Sequence, residues 1–136
     1  MASQKYNILY GRLSQEDERQ RDDRQKESNS IHNQKLFLEQ YAADHGFENT
    51  LFLADDGYSG TSTSRPAFQR LIQDAQDGKI KTIIVKDFSR FARDYIEAGD
   101  YMERIFPLLG VRFISVNDGY DSGMQAGNDV RGLEVA

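Results

Sequence analysis

Cysteine is absent from this chain of 136 residues, and histidine occurs only twice. Disulfides, thiolate nucleophiles and cysteine-based zinc sites are therefore excluded, and so is a metal site built from three histidines. The chain also lacks an apolar run of about 18 residues and a basic N-terminal stretch followed by an apolar segment. We therefore expect neither a membrane span nor a secretory signal, and a cytoplasmic location. Any chemistry must use serine, tyrosine, carboxylates or cationic side chains.

Three common functional motifs are also missing. The chain has no G-x-x-x-x-G-K-[ST], no G-x-G-x-x-G and no G-x-S-x-G. A phosphate-binding P-loop, a dinucleotide-binding turn and a hydrolase nucleophile elbow therefore lack support. His32 and His45 both fall in the first predicted helix, far in sequence from Ser14, so the ordinary interpretation is that they are surface or helix-end residues.

Length and composition predict one soluble globular domain, with 38% hydrophobic and 29% charged residues and a mean hydropathy of -0.69. The formal net charge of -5 hides an uneven distribution. Residues 65–93 hold seven Lys or Arg against three Asp or Glu, whereas the segments on either side are acidic. A basic stretch of this size is usually a solvated face, so its meaning depends on how its arginines are spaced.

Short apolar runs alternate with amphipathic segments along the chain. The predicted strands are Tyr6–Tyr10, Thr50–Ala54, Thr82–Val85 and Val111–Val116. The predicted helices are Ser30–Gly46, a second that Ser64 caps and that runs from Pro66 to Gly78, and Asp94–Leu109, which Pro107 bends or ends. This order favours an α/β fold, a mostly parallel sheet of four to five strands with helices on both faces. Residues 15–29 are predicted to be a mobile loop or a frayed helix end.

In such a fold, ligands bind at the carboxyl ends of the strands, where several polar segments of this chain converge. Arg12 and Ser14 are two residues apart in an extended segment and leave it on the same side. Arg65 precedes a helix start, a place that favours anions. Arg90 and Arg93 are three apart, and on one helix face they would make a fork for phosphate oxygens. Taken singly, each is more often a cap or a surface charge. An acidic alternative also remains, a divalent cation held by Asp55, Asp56 and Asp121.

Five ordered motifs between Tyr6 and Ser122 resemble one known family. They are Y-x-R-x-S at Tyr10–Ser14, S-I-x-x-Q at Ser30–Gln34, D-D-G-Y-S-G-T from Asp55 with Arg65 and Pro66 after it, V-K-D-x-S-R at Val85–Arg90 with Arg93-Asp94-Tyr95, and F-I-x-x-N-D-G at Phe113–Gly119. The sequence is similar to the serine site-specific recombinases, the resolvases and invertases, and most of all to the N-terminal catalytic domain of the large serine recombinases of transposons. The resemblance implies the resolvase catalytic-domain fold.

The resemblance implies that Ser14 attacks a DNA phosphodiester and forms a covalent 5′-phosphoserine intermediate, with no ATP, metal or other cofactor. It also implies that double-stranded DNA is the partner and that the full-length protein is a dimer that forms a synaptic tetramer. The implied phosphate-binding residues are Arg12, Arg65, Arg90 and Arg93, and the implied supporting residues are Lys86 and Gln34. Guanidinium groups suit this chemistry because phosphoryl transfer depends on positioning and on stabilising the phosphoryl oxygens.

Two departures from the family pattern leave questions open. Ser89 stands where small family members carry an aspartate, so the acid that protonates the leaving oxygen is Asp87, Asp94 or no residue at all. The base that activates Ser14 is also open. Residues 1–121 are interpreted as the catalytic domain, and residues 122–136 as a tail leading to DNA-binding domains that this chain lacks. No long apolar helix follows the domain, so we expect the chain alone to be monomeric, to bind DNA weakly and to have little or no activity.

Two other functional classes compete with this interpretation. In the first, the domain is a non-catalytic assembly module of a recombination complex. In the second, the chain is a flavodoxin-like receiver or nucleotide-binding domain whose acidic residues hold magnesium and whose arginines are surface charges.

Overall fold

A five-stranded sheet forms the centre of the molecule. The computed structural model describes residues 5–13, 30–56, 65–91 and 95–123. The strand order in the sheet is β2-β1-β3-β4-β5, in which β1 to β4 run parallel and β5 runs antiparallel to β4. The strands are β1 (Tyr6–Leu13), β2 (Thr50–Asp56), β3 (Ile80–Val85), β4 (Arg112–Ser115) and β5 (Tyr120–Asp121). The predicted fold class is confirmed. The predicted loop 15–29 lies outside the described residues, as does all but the first two residues of the predicted tail.

Among the described residues, the helix α1 (Ile31–Asp44) covers one face of the sheet. The Ser30 hydroxyl accepts a hydrogen bond from the Asn33 N–H at 3.1 Å, so Ser30 is the N-cap. Gly46, at φ 74°, follows the helix end as predicted, in a conformation that favours glycine. Leu38 and Ala42 of the helix pack against Leu9, Ile84 and Ile114 of the sheet.

The opposite face is covered by α2 (Pro66–Gln76), by the single turn α3 (Phe88–Phe91), and by a helical stretch that begins with α4 (Tyr95–Asp100). Aromatic rings dominate this larger core. The Phe91 ring lies 5.2 Å from that of Phe68 on α2 and 4.8 Å from that of Phe113 on β4, measured between ring centroids. The short turn α3 is therefore anchored in the core by its last residue.

A π-helical turn interrupts the last helical stretch. It spans Tyr101–Ile105 and joins α4 to α5 (Phe106–Leu109). The Phe106 N–H bonds to the Tyr101 carbonyl five residues earlier, and Pro107 then follows in the first turn of α5. Because proline has no N–H to donate to a carbonyl four residues earlier, the hydrogen-bond pattern changes at this point. Pro107 therefore does not end the predicted helix, which continues to Leu109.

Strand β1 is longer than its apolar run predicts. It continues to Leu13 because it pairs with β2 as far as Leu13 and Asp56, whereas its pairing with β3 stops at Tyr10 and Val85. Arg12 thus extends beyond the end of β3 while still in a strand. Within the described ranges, none of the helices has the length and apolar character needed to cross a membrane.

Candidate active site

The end of β1 is held by a glutamine from α1. Gln34 is completely buried, and its Oε1 accepts from the Arg12 N–H at 3.0 Å while its Nε2 donates to the Arg12 carbonyl at 3.0 Å. The amide thus pairs both backbone groups of Arg12 at the place where β3 has ended. Gly11 permits this approach, because a Cβ there would lie 2.9 Å from Gln34 Oε1 and 3.1 Å from the Phe52 ring. Gln34 therefore fixes the backbone that carries Arg12.

Two hydrogen bonds join Arg12 to the turn α3, which carries Arg90. Arg90 Nη1 donates to the Arg12 carbonyl at 2.9 Å, and Arg12 Nη2 donates to the Ser89 carbonyl. Arg90 is buried although it carries a charge. Two of the arginines predicted to bind phosphate, one from β1 and one from α3, are therefore neighbours, and Arg12 precedes Ser14 by two residues in the chain.

Asp87 caps the turn that carries Arg90. Its Oδ1 accepts from the Ser89 hydroxyl at 2.5 Å and from the Arg90 N–H at 3.2 Å, and it lies 4.0 Å from Arg90 Nε. This is the usual work of an aspartate before a helix, which accepts from N–H groups that have no partner inside the helix. Asp87 and Ser89, both named as supporting residues from the sequence, are thus in direct contact.

A second aspartate, which the sequence did not single out as a site residue, holds the same turn from the loop that follows β4. Asp118 Oδ2 accepts from the Phe88 N–H and from the Ser115 hydroxyl, both at 2.7 Å. Nearby, the Asn117 N–H donates to the Lys86 carbonyl at 2.8 Å. The N-D-G motif at Asn117–Gly119 therefore fastens the β3–α3 connection to the turn after β4. Its signal in the sequence was its place at the same sheet edge as Arg90.

The start of α2 is capped by a carboxylate from β2. Asp55 accepts from the N–H groups of Ala67 at 2.8 Å and Phe68 at 2.9 Å, and from the Tyr10 hydroxyl at 2.6 Å. The N-cap position is Arg65, so the expectation that Ser64 occupies it is wrong. Burial of Tyr10, together with its hydrogen bond to Asp55 and the charge of that carboxylate, raises the pKa of Tyr10.

Arg65 adopts a left-handed backbone conformation, with φ 40° and ψ 63°, immediately before α2. Its guanidinium carbon lies 3.7 Å from the centroid of the Phe68 ring. Nη1 forms an ion pair with Glu97 Oε1 on α4 at 2.8 Å, and Nη2 donates to the Phe91 carbonyl at the end of α3. Arg65 therefore reaches α3 from the side opposite to Arg12, and Glu97 is a contact residue that sequence reasoning missed.

Lys86 follows β3 and lies on the side of the sheet that α1 covers. Its Nζ is 5.7 Å from the centroid of the Phe37 ring, within range of a cation–π contact. Gln34 belongs to the same helix as Phe37. The two supporting residues implied by the resemblance are Lys86 and Gln34. Both therefore lie beside α1, at the edge of the sheet where β1 and β3 end.

The model of a known protein family matches this chain. The model described as the N-terminal domain of resolvases matches residues 7–133, nearly the whole chain. The chain belongs to the resolvase family. No curated protein sequence matches it.

Solved structures agree with membership of the resolvase family. The N-terminal catalytic domain of TP901-1 integrase has 27% sequence identity and a TM-score of 0.69, over 96% of this chain and 99% of that one. A resolvase-family site-specific recombinase from Streptococcus pneumoniae has 25% identity and a TM-score of 0.67, over 97% and 91%. The C-terminal catalytic domain of ISC1926 TnpA, an IS607-like serine recombinase, has 25% identity and a TM-score of 0.58, over 82% and 67%. The fold is that of serine recombinase catalytic domains.

Resolvase membership removes the receiver-like alternative, and the side chains show why its magnesium site is wrong. Both oxygens of Asp55 face N–H and O–H donors. Asp121 forms an ion pair with Arg112, with 2.6 Å between Oδ2 and Nη2. Carboxylates engaged by donors and cations in this way do not present their lone pairs to a metal ion. In the parts of the chain that the structure describes, no group of three or more metal-ligating side chains occurs.

The sequence named ten site residues for this resolvase domain, and seven of them are described. Arg12 and Arg65 both donate to carbonyls of the turn α3, which carries Ser89 and Arg90. Lys86 and Asp87 directly precede this turn, and Gln34 pairs with the backbone of Arg12. The other three, Ser14, Arg93 and Asp94, lie outside the described residues.

Proposed function

We propose that this domain performs site-specific DNA recombination by phosphoryl transfer, with Ser14 as the nucleophile. The Ser14 oxygen attacks a DNA phosphorus atom and forms a Ser14–phosphate bond at the 5′ end. The bond from phosphorus to the 3′ oxygen breaks, and that oxygen leaves with a proton as a 3′-hydroxyl. After strand exchange, a 3′-hydroxyl attacks the phosphoserine and restores the phosphodiester and the serine. No external energy source is required, because the number of phosphoester bonds is conserved.

The observation that carries the proposal is the pair formed by Arg12 and Arg90. Arg90 Nη1 lies 2.9 Å from the carbonyl of Arg12, and β1 ends one residue before Ser14. The two guanidinium-bearing residues and the nucleophile therefore belong to one small region. Preorganised cations beside a reacting phosphate stabilise the charge on its equatorial oxygens, and they work best where little rearrangement is needed.

The remaining residues have proposed roles around this pair. Arg65 and Arg93 complete the set of phosphate-binding cations, while Gln34 and Lys86 position the end of β1 and the start of α3. The contact between Asp87 and Ser89 at 2.5 Å makes these two a candidate route for the proton that reaches the 3′ oxygen. Asp94 is the other candidate for this role.

The assembly implied by the family likeness is also part of the proposal. Double-stranded DNA is the substrate, and the full-length protein acts as a dimer that pairs into a synaptic tetramer. Residues 1–121 form the catalytic domain, and residues 122–136 lead toward further DNA-binding domains. The isolated chain is monomeric and weakly active, because a single copy does not form the interface that brings two DNA strands together.

Capture of covalent protein–DNA adducts tests the proposal on this chain. The wild-type chain is incubated with a pool of randomised duplexes that carry a nick near the centre, and adducts that survive denaturing detergent are collected. We expect DNA attached to the Ser14-containing peptide by mass spectrometry, no adduct with Ser14→Ala, and an unchanged yield with the control Ser3→Ala. Adducts that persist in Ser14→Ala would refute the role of Ser14. Recombination by a full-length protein carrying Ser14→Ala would instead establish the assembly-module alternative.

A further inference from the structure

Glu97 forms an ion pair with Arg65, whose guanidinium group is proposed to bind a DNA phosphate. Its Oε1 lies 2.8 Å from Arg65 Nη1, and the Phe91 carbonyl accepts from Nη2. Both terminal nitrogens of Arg65 are thus engaged by acceptors of the protein. The contact with Glu97 places a full negative charge where a phosphodiester oxygen would otherwise bind.

The rest of the Arg65 guanidinium is closed to a ligand in this arrangement. The side chain is only 8% exposed, and the Phe68 ring covers one face at 3.7 Å from the guanidinium carbon. Nε is buried and has no hydrogen-bond acceptor among the described residues. A phosphate group therefore cannot reach Arg65 unless the side chain or its partners move.

We infer that Glu97 is a positioning residue that holds Arg65 withdrawn from the scissile phosphate, and that a DNA phosphodiester must displace the Glu97 carboxylate to recruit Arg65. This rests on the proposed function. The exchange is chemically balanced, because one anionic oxygen ligand of the guanidinium replaces another. Glu97 is about one-third exposed, so its carboxylate can turn into water after release without becoming an unpaired buried charge.

The opposite role for Glu97 would be to support Arg65 in its working position. That role requires part of the guanidinium to face the phosphate site while the ion pair is intact. The burial of Nε and the engagement of both terminal nitrogens argue against it. The two roles predict effects of opposite sign when the charge of Glu97 is removed.

Titration of the full chain with dimethyl phosphate, a small phosphodiester, separates the two roles. Binding is followed through the backbone N–H signals of α2, α3 and α4 in NMR spectra, which remain observable in every variant. We expect Glu97→Gln to bind about threefold to tenfold more tightly than wild type, the change that loss of one competing ion pair supplies. Glu103→Gln is the matched control, because Glu103 lies exposed on the π-helical turn and its change removes the same charge. The gain must disappear in the double variant Arg65→Gln with Glu97→Gln.

Binding by Glu97→Gln that is equal to or weaker than binding by Glu103→Gln would overturn the inference. Should Glu97→Gln fail to fold, Glu97→Asp decides, since its shorter side chain weakens the 2.8 Å contact and is also expected to tighten binding. Arg90→Gln in the wild-type background separates the two proposals. If it weakens binding while Glu97→Gln has no effect, the inference alone fails. If it leaves binding unchanged, the proposed phosphate site itself is wrong, and the inference falls with it.

Discussion

The helix α2, which Arg65 precedes, and the turn α3, which carries Arg90, are held at their starts in different ways. At α2, the buried carboxylate of Asp55 accepts from two backbone N–H groups and from the Tyr10 hydroxyl. At α3, the exposed carboxylate of Asp118 accepts from one backbone N–H group and from the Ser115 hydroxyl. Loss of a buried acceptor strands donors away from water, whereas loss of an exposed one lets water replace it. Motif aspartates at both places therefore serve as caps, but only the first is also a large contributor to stability.

Among the variants that test this comparison, Asp55→Ala is expected to have the largest effect on the free energy of unfolding. It removes the acceptor of three donors in the core, so we expect the free energy of unfolding to fall by about 3 kcal/mol. Chemical denaturation measures the change, and Glu39→Ala, which removes an exposed carboxylate on α1, is the control. A loss no greater than that of the control would contradict the capping role of Asp55.

Tyr10→Phe removes one of the three donors to Asp55 and keeps the aromatic ring. We expect a loss of about 1 kcal/mol near neutral pH. Because burial and Asp55 raise the pKa of Tyr10, the folded state keeps its proton at a pH where the unfolded state has lost it. Stability supported by Tyr10 is thus complete below about pH 10, the ordinary tyrosine value, and falls as the pH rises above it.

Measurement of the free energy of unfolding between about pH 8 and about pH 11 checks this dependence. The alkaline loss should be smaller in Tyr10→Phe than in wild type, while Tyr6→Phe, which alters a more exposed tyrosine of the same strand, should resemble wild type. Equal alkaline losses in Tyr10→Phe and wild type would contradict the assignment.

Asp118→Ala tests the other half of the comparison, because it removes the exposed acceptor at the start of α3. We expect a loss of stability of only about 1 kcal/mol, because water can reach the freed Phe88 N–H. Adduct formation with DNA should nevertheless slow about tenfold, since α3 carries Arg90 and small displacements of a catalytic group are costly. Asp100→Ala, which removes an exposed partner of Arg104, is the control for both measurements. A large loss of stability with unchanged adduct formation would contradict the proposed difference between Asp55 and Asp118.

Local signals in the sequence predicted much of this molecule. Ser30 and Gly46 lie at the two ends of α1, as expected. The order of strands and helices also predicted that Arg12 and Arg90 lie at one edge of the sheet, where they are in contact. Such features depend on periodicity, short-range caps and the rule that parallel strands end together.

Contacts between distant segments were the part that the sequence could not supply. Ser64 resembled an ordinary N-cap, but the acceptor at α2 is Asp55, twelve residues before Ala67. Glu97 meets Arg65, which lies 32 residues earlier in the chain, and no local pattern in the sequence indicates that contact. The acidic residues suggested a metal site because composition does not reveal whether a carboxylate faces donors or a cation.

A crystal structure of the chain with bound sulfate tests the central claim most directly, because sulfate resembles the tetrahedral phosphate that the arginines are proposed to bind. The account predicts one sulfate beside the end of β1, with its oxygens within hydrogen-bond distance of both the Arg12 and the Arg90 guanidinium groups. Sulfate bound only elsewhere, with both guanidinium groups still turned to the carbonyls of Ser89 and Arg12, would contradict the proposed phosphate site.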